Sequence, residues 1–328
     1  MEKVNMTQIN PTVSVIIPVK NEALKIRACI DGILEQSVPV HEIIVIDSGS
    51  TDDTVAILQS YPKVTLIQIP ADTFNHGETR NLGARKASGE FLLFTVGDAR
   101  PFNEQWIEAL LNGFVDEQVA AVCGQQVVPH EMDKNPIEWF RPISEPLLIR
   151  YQYKTAPAFD ALSPLEKKNT CAWDDVNAMY RKSMMQKLPF RRTSYSEDAI
   201  WAKDAILSGH AIVYQQKARV FHYHLEDADF VFKRNFTTMY FRYRQFGYLY
   251  EAPVLSIRAK LSILKTLLLL PKLPLKKIFY WWNYNIKNFK AAQSSHHLFM
   301  ESLKKGENQL DQTHQQLCGK PPIPLKAT

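Results

Sequence analysis

Short apolar runs recur through the first hundred residues: VSVIIPV (13–19), EIIVID (42–47), VTLIQI (64–69) and FLLFT (91–95). They are rich in Val and Ile and too continuous for strands with one wet face, so they suit strands buried on both sides. The intervening stretches, roughly 22–36, 52–60 and 78–87, carry helical spacing. Strand-helix alternation of this kind predicts right-handed crossovers and a mostly parallel sheet, an α/β fold. Farther on, AAVCGQQVV (120–128) predicts a strand, and an irregular stretch with Trp139, Pro142 and Pro146 follows. DVNAMYR (175–181) is another strand candidate. TSYSEDAIWAKDAILSGH predicts a helix, with Ser194 and Glu197 at capping-box spacing and Gly209 closing it. AIVYQQKARVFHYH (211–224) returns to alternation.

In open α/β sheets ligands lie beyond the carboxyl ends of the strands. The turns after the four runs are therefore the places to look, and they hold Pro18 to Glu22, Asp47 to Asp52, Phe74 to Asn81, and Asp98. Ser50, Thr51 and Asp52 can also cap the helix that follows, and Gly49 can be a plain turn glycine. Capping does not explain acids, amides and Arg80 at one edge of one sheet. No GxGxxG follows the first run and no GxxxxGK[ST] occurs anywhere, which argues against a dehydrogenase and a P-loop NTPase.

The bulk numbers narrow this little. A chain of 328 residues, 45% hydrophobic and 22% charged, is globular and has room for one large domain and an appendage. Its four cysteines form no CxxC pair, so neither a zinc site nor a disulfide framework is expected. The opening MEKVNMTQINPT has no apolar core of the secretory type. No run approaches the roughly 20 apolar residues that span a bilayer. The net charge of +5 is modest but uneven: residues 252–300 hold eight Lys or Arg and no Asp or Glu.

With VSVIIPVKNE, VIDSGSTDDT, ASGEFLLFTVGDARP and SEDAIWAKDAILSGHAIVYQQKARVFHYH in this order, the chain resembles the inverting family 2 glycosyltransferases over about residues 11–225. FNHGETRN and Ser48 resemble its rhamnosyltransferase branch. The resemblance implies a GT-A nucleotide-sugar-binding fold, and Asp198 matches the base that takes the acceptor hydroxyl's proton. Pro18, Glu22, Asp47, Arg80 and Asp98 match donor-binding positions. Glu197 matches a position that caps the helix or orients the acceptor, and Trp139, Trp173 and Asp174 fall in the stretch 129–175, where the family varies and acceptor choice is expected. Asp98 aligns with the second acid of the family's D-x-D and Val96 replaces the first. A divalent metal, Mg or Mn, is implied on Asp98, with His222 as a further ligand; His224, two residues on, shares its strand face.

The tail LSILKTLLLLPKLPLKKIFYWWNYNIKNFK mixes leucines, cations and Tyr280-Trp281-Trp282, with Pro271 and Pro274 breaking it into short helices. Such a segment suits the surface of an anionic membrane; the competing expectation is a helical subdomain packed on the catalytic domain. The expected organisation is an N-terminal tail (1–10), a catalytic domain (11–228), a helical, membrane-associating segment (229–300) and a loosely ordered polar tail (301–328). The expected function is sugar transfer from a nucleotide sugar to a glycan or lipid-linked glycan in polysaccharide or O-antigen synthesis, peripheral to the cytoplasmic face of the membrane. The alternatives are a non-catalytic nucleotide-sugar-binding scaffold, motivated by Val96, and a sugar nucleotidyltransferase. The latter would want a glycine-rich basic loop where PVKNEA stands. Nucleic acid is not an expected partner, since the basic segment is interleaved with leucines rather than stacking platforms.

Overall fold

The computed structural model describes residues 11–131, 133–140, 147–270 and 273–318. The expected N-terminal tail, Pro142, Pro146, Pro271 and the end of the polar tail lie outside the described residues.

Strands β1 (Val13–Val19), β2 (Glu42–Asp47), β3 (Val64–Gln68) and β4 (Phe91–Phe94) pair in the order β3-β2-β1-β4, all parallel. Helices α1 (Ile26–Leu34), α2 (Thr54–Gln59) and α3 (His76–Lys86) make the crossovers. The continuous apolar runs are explained by the two-sided core. Val13, Val15 and Ile17 pack with Ile26, Ile30 and Ile33 of α1, while Ile16, Ile44 and Ile46 face the opposite layer.

The second half is mixed rather than parallel. It runs through β5 (Arg100–Pro101), α4 (Trp106–Leu111), β6 (Val119–Val127), β7 (Leu148–Tyr151), α5 (Ala156–Asp160) and α6 (Pro164–Thr170). It continues with β8 (Ala178–Arg181), α7 (Lys182–Lys187), α8 (Glu197–Leu207) and β9 (Ala211–Phe221). β8 lies antiparallel between β4 and β6; β9 runs parallel to β6, with β5 and β7 antiparallel to β9.

One irregularity positions the functional edge. Along β6 the partner in β9 jumps from Tyr214, opposite Cys123, to Arg219, opposite Gln125. The displaced β9 backbone is held by Asn177, whose Nδ2 donates to the Ala218 carbonyl at 2.9 Å and the Gln125 carbonyl at 3.2 Å. Asn177 Oδ1 in turn accepts from the buried Trp106 Nε1 at 2.7 Å. Gly124 is required there, because a Cβ would lie 2.3 Å from the Ala218 carbonyl oxygen. Beyond this bulge the strands re-pair and bring Gln126 and His222 to the same end of the sheet as Asp98.

Helices α9 (Ala228–Phe246), α10 (Ile257–Leu269), α11 (Leu275–Lys304) and α12 (Glu307–Cys318) complete the described chain. α11 is docked to the catalytic half: Asn285 and Asn135 exchange amide hydrogen bonds at 2.9 and 3.0 Å, and the Tyr284 hydroxyl accepts from the Glu226 N–H at 3.2 Å. Two tail expectations change. Trp281 does not reach outward but is buried with Leu267 and Leu273. The stretch expected to be loose carries α12, whose Leu310 and Cys318 pack with Phe236, Met239 and Phe299. Spacing of four residues between Leu310, His314 and Cys318 gives that otherwise polar helix a buried stripe.

Gly124→Ala should destabilise the fold by about 1–3 kcal/mol through overpacking against backbone. Urea denaturation measures it; an unchanged midpoint would mean that the bulge is not the tight junction described.

Candidate active site

The turns after β1 and β2 are built as one unit. Asn21 sits at φ +58°, and its side-chain oxygen accepts from the Thr51 N–H at 2.8 Å, while its own N–H donates to Ser50 Oγ at 2.8 Å. Asp52 accepts from the Ala23 N–H at 3.1 Å, and Thr54 Oγ1 from the Glu22 N–H at 2.7 Å. Asp47, wholly buried at the end of β2, takes the N–H groups of Gly49 and Ser50 at 3.2 Å and the Ser50 hydroxyl. Ser50, Thr51 and Asp52 are not the N-cap of α2, which is Asp53 with no side-chain cap; they clamp the first two turns together. Pro18 is half-buried beside them at the end of β1, opposite Ile46.

Past β4, Val96 turns its side chain into the core under the sheet, and Asp98 emerges two residues later. Asp98 Oδ2 accepts from Lys25 Nζ at 3.1 Å. His222 Nε2 lies 3.5 Å from Oδ1, and His224 Nε2 3.6 Å from Oδ2. Burial alone would raise the Asp98 pKa, but the two imidazoles and Lys25 outweigh it and hold the carboxylate well below its usual range. Glu22 behaves oppositely: burial, then the neighbouring Asp98 charge, push it up to about 7. His222 is oriented from behind. Its Nδ1 donates to Gln126 Oε1 at 2.6 Å, because an amide oxygen can only accept, and the Gln126 amide donates to Asp174. Nε2 is therefore the nitrogen turned to Asp98.

This group fits a divalent cation. One ligand atom each from Asp98, His222 and His224 lies within 4.8 Å of the others, a separation that ligands about 2.1 Å from a shared ion reach with small rotations. The hydrogen bond behind His222 is the support that metal-bound imidazoles use.

A second group sits around α8. Arg80, on α3, is buried, with Nη1 2.5 Å from Glu197 Oε1 and Nε 3.5 Å from Asp175 Oδ2. Burial raises the Glu197 pKa, yet the guanidinium overrides it and keeps the group below its usual range. Asp175 also accepts from the Tyr180 hydroxyl, and burial pushes it up to about 7 against the pull of Arg80. Asp198, half-buried in the first turn of α8, is raised well above the carboxylate range by burial and by Glu197, Asp175 and Asp174.

Several expected roles are altered by these positions. Arg80, expected at the donor phosphates, has its guanidinium engaged by protein carboxylates. Glu197 does not make the capping box: the N-cap is Ser196, in the left-handed region at φ +64° with no side-chain cap, and the Glu197 carboxylate goes to Arg80. Trp173, expected on the acceptor side, is 3% exposed, its indole N–H donating to the Tyr180 hydroxyl at 2.6 Å and its ring packed with Trp201 and Tyr214. Its neighbour Asp174 is half-buried and joins the two groups through Gln126. Lys25, Gln126 and Asp175 were not anticipated as site residues. Lys25 carries no motif, Asp175 lay inside a predicted strand, and Gln126 reaches His222 only through the bulge register.

Residues 14–188 match the family model described as glycosyl transferase family 2. The O-antigen chain rhamnosyltransferase RfbN of Salmonella typhimurium is 30% identical over 231 residues, spanning 69% of this chain and 71% of its own. The O-antigen chain rhamnosyltransferase WbaN of Salmonella anatum is 30% identical over 234 residues, spanning 70% and 71%. Among solved structures, S. aureus TarS 1-349 in complex with UDP-GlcNAc superposes with a TM-score of 0.50 at 14% identity, covering 88% of this chain and 92% of that one. These likenesses agree with the expected GT-A fold.

Arg80→Met strips two buried carboxylates of their counter-charge and should cost about 3–5 kcal/mol of stability. Adding Glu197→Gln should recover part of that loss in a double-mutant cycle; strictly additive effects would dissolve the coupling.

Proposed function

The chain belongs to glycosyl transferase family 2, and from that premise we propose that it transfers a sugar, rhamnose in this reading, from a nucleotide diphosphate to a glycan acceptor with inversion at the anomeric carbon. The carrying observation is the Asp98–His222–His224 group beside Lys25 at the carboxyl edge of the parallel strands. A nucleotide sugar would set its base and ribose against the joined turns holding Pro18, Glu22 and Asp47, with its diphosphate towards Asp98 and Lys25. Asp98 and His222, with His224, would hold a divalent ion, which when bound would supply positive charge to the leaving diphosphate. That donor set favours Mn²⁺ over Mg²⁺, which prefers oxygen alone.

Asp198 is the proposed base. As the acceptor oxygen bonds to the anomeric carbon and the bond to the diphosphate breaks, its carboxylate takes the hydroxyl proton. A raised pKa suits that task, since the group holds the proton more strongly than an ordinary carboxylate does. Arg80 does not touch substrate in this mechanism. It fixes Glu197, and through it the first turn of α8 that carries Asp198. The 30% identity to two O-antigen chain rhamnosyltransferases supports the choice of sugar and of a polysaccharide pathway.

We extend the reading to peripheral membrane attachment. Among the described residues no helix is long and apolar enough to cross a membrane. Yet Ile257, Leu261, Leu268 and Leu269 of α10, and Leu275 and Phe279 of α11, are exposed, Leu275 by 81%. Arg258, Lys265, Lys276 and Lys277 are exposed among them, a pairing of apolar and basic side chains that suits an anionic interface.

Purified protein offered a panel of nucleotide sugars, thymidine-diphosphate rhamnose included, should turn over one donor with Mn²⁺ and none with EDTA. Asp98→Ala and Asp198→Asn should each lower the rate about 10²-fold or more. Absence of both turnover and calorimetric donor binding would overturn the transferase reading. Because the base works only when ionised, kcat/KM should fall on the acid side with a midpoint above the ordinary carboxylate value of about 4. A profile flat down to that value would remove Asp198 from the role. The protein should also sediment with anionic vesicles, less so at high salt and less so as Leu275→Glu; binding blind to both would refute attachment through this face.

A further inference from the structure

Three cations gather where α6, α8 and α9 meet, and no acid answers them. Gly247, in the left-handed region at φ +67°, ends α9 and turns the chain back towards α6. Tyr248 and Tyr250 then stand edge to face with ring centres 4.8 Å apart, and Lys168 Nζ lies 5.3 and 5.9 Å from those centres. Arg242 of α9 and Lys203 of α8 stand by the buried Phe246, at 5.7 and 5.8 Å from its ring centre. The three cations and both tyrosines are partly exposed. The cations donate to neutral oxygens: Lys168 to Asn169 Oδ1 at 3.2 Å, Lys203 to the Gln245 carbonyl at 3.3 Å, and Arg242 to the Cys171 carbonyl at 3.4 Å.

The acids of the same elements are committed elsewhere. Glu166, the one acid of α6, closes the Ser163 cap at 2.6 Å, and Asp229, the one acid of α9, pairs with Lys233 at 2.8 Å. On α8, Glu197 is held by Arg80, Asp204 is held by Arg191, and Asp198 lies with Glu197, Asp175 and Asp174. Glu251, next to Tyr250, is exposed. The C-terminal end of α6, beside Lys168 and Arg242, offers at most about half an elementary charge, too little for two cations. Burial, and then the charge of Arg242, pull the Lys168 ammonium below its ordinary range, and no carboxylate opposes them. Tyr195 connects this place to the proposed base. Its ring packs on Phe241 at 5.3 Å and its hydroxyl shares a hydrogen bond with Thr238 at 3.0 Å, within electrostatic reach of Asp198 and Arg242 alike. A bare phosphate would engage the cations and leave the tyrosines idle. A sugar ring bearing a carboxylate uses both, its acid on the cations and its hydroxyl and C–H groups on the tyrosines.

We propose that Lys168 and Arg242, with Tyr248 and Tyr250, form a subsite for a sugar carboxylate, an acidic residue of the acceptor glycan set back from the hydroxyl that reacts. Lys203 adds attraction from the far side of Arg242. The proposal rests on the transferase reading and adds a charged sugar to its acceptor. A contact this far from the reacting atoms acts through binding, so it selects which glycan is taken rather than how fast the bond forms.

The test is calorimetric binding to the full chain, with tetragalacturonic acid, neutral maltotetraose, inorganic phosphate and a thymidine diphosphate–Mn²⁺ mixture as separate probes. Tetragalacturonic acid should bind about tenfold more tightly than maltotetraose or phosphate, and more weakly as salt rises. Lys168→Gln/Arg242→Gln should weaken it by roughly tenfold or more, the loss of two charge-assisted contacts, and leave thymidine diphosphate unchanged. Should circular dichroism show that Arg242→Gln disturbs α9, Lys168→Glu alone carries the same expectation. Equal affinity for phosphate or for maltotetraose would overturn the proposal, and so would binding that ignores the cations, or none at all. Parallel loss of the nucleotide in these variants would assign the cluster to the donor and sink it as well. If the variants lose sedimentation with anionic vesicles while the acidic tetrasaccharide does not bind, the cluster belongs to lipid headgroups and the proposal falls. Failure of the nucleotide probe alone would count against the transferase reading and leave the carboxylate subsite standing.

Discussion

A guanidinium buried in the protein interior has to be met by carboxylates, and Arg80 meets two. The cost of taking such a charge out of water is several kcal/mol, recovered only when the geometry is good and the partners are fixed. Arg80 stands on α3, Glu197 opens α8, and Asp175 precedes β8. One cation thus joins the parallel half of the sheet to the mixed half at the edge where chemistry is proposed. The strained Ser196 at the start of α8 fits the same demand, since the helix begins where Glu197 can reach Arg80 rather than where a serine could cap it.

The charges at that edge fall into two opposite environments. Asp98 is surrounded by Lys25, His222 and His224 and is held ionised; Asp198 is surrounded by Glu197, Asp175 and Asp174 and is held towards its protonated form. Two carboxylates with pKa values driven apart make a permanent anion and a proton acceptor, which is the division of labour that the proposed displacement needs. Gln126 lies between them, accepting from His222 and donating to Asp174. One amide thus links the Asp98 group to the acid cluster around Asp198, which in the proposed mechanism would couple donor-side and acceptor-side groups.

Much of this was legible from the chain because strand burial writes itself as apolar runs and ligand edges follow strand ends. The four parallel strands and the edge where Asp98 sits were readable in that way; His222 came only through the family resemblance. What was not readable depends on register and on long-range partners. The β6–β9 bulge follows from Asn177 and Gly124 meeting residues about 40 and 90 positions away, and a periodicity of two cannot encode it. The Ser194–Glu197 capping spacing was a local preference overridden by a tertiary ion pair. Trp173 was misassigned because an aromatic in a variable stretch reads the same whether it faces solvent or, as here, packs beneath the site. The order of α12 escaped notice because its polar composition hid a narrow buried stripe.

The missing first acid of the D-x-D loop acquires a physical explanation from the same geometry. Val96 packs against the core beneath the sheet, and Asp98, two residues on, is the first side chain free to face the edge. A carboxylate at position 96 would have to leave that apolar contact or be buried beside it, either of which is costly. In the proposed metal site the other two ligands, His222 and His224, would come from the far side, from a strand brought within reach by the bulge. In the proposed mechanism this exchanges an oxygen for two nitrogens, so the preference for Mn²⁺ originates in a packing choice made at Val96. The scaffold alternative drew its force from that valine alone, and the imidazoles gathered on Asp98 remove the reason for it.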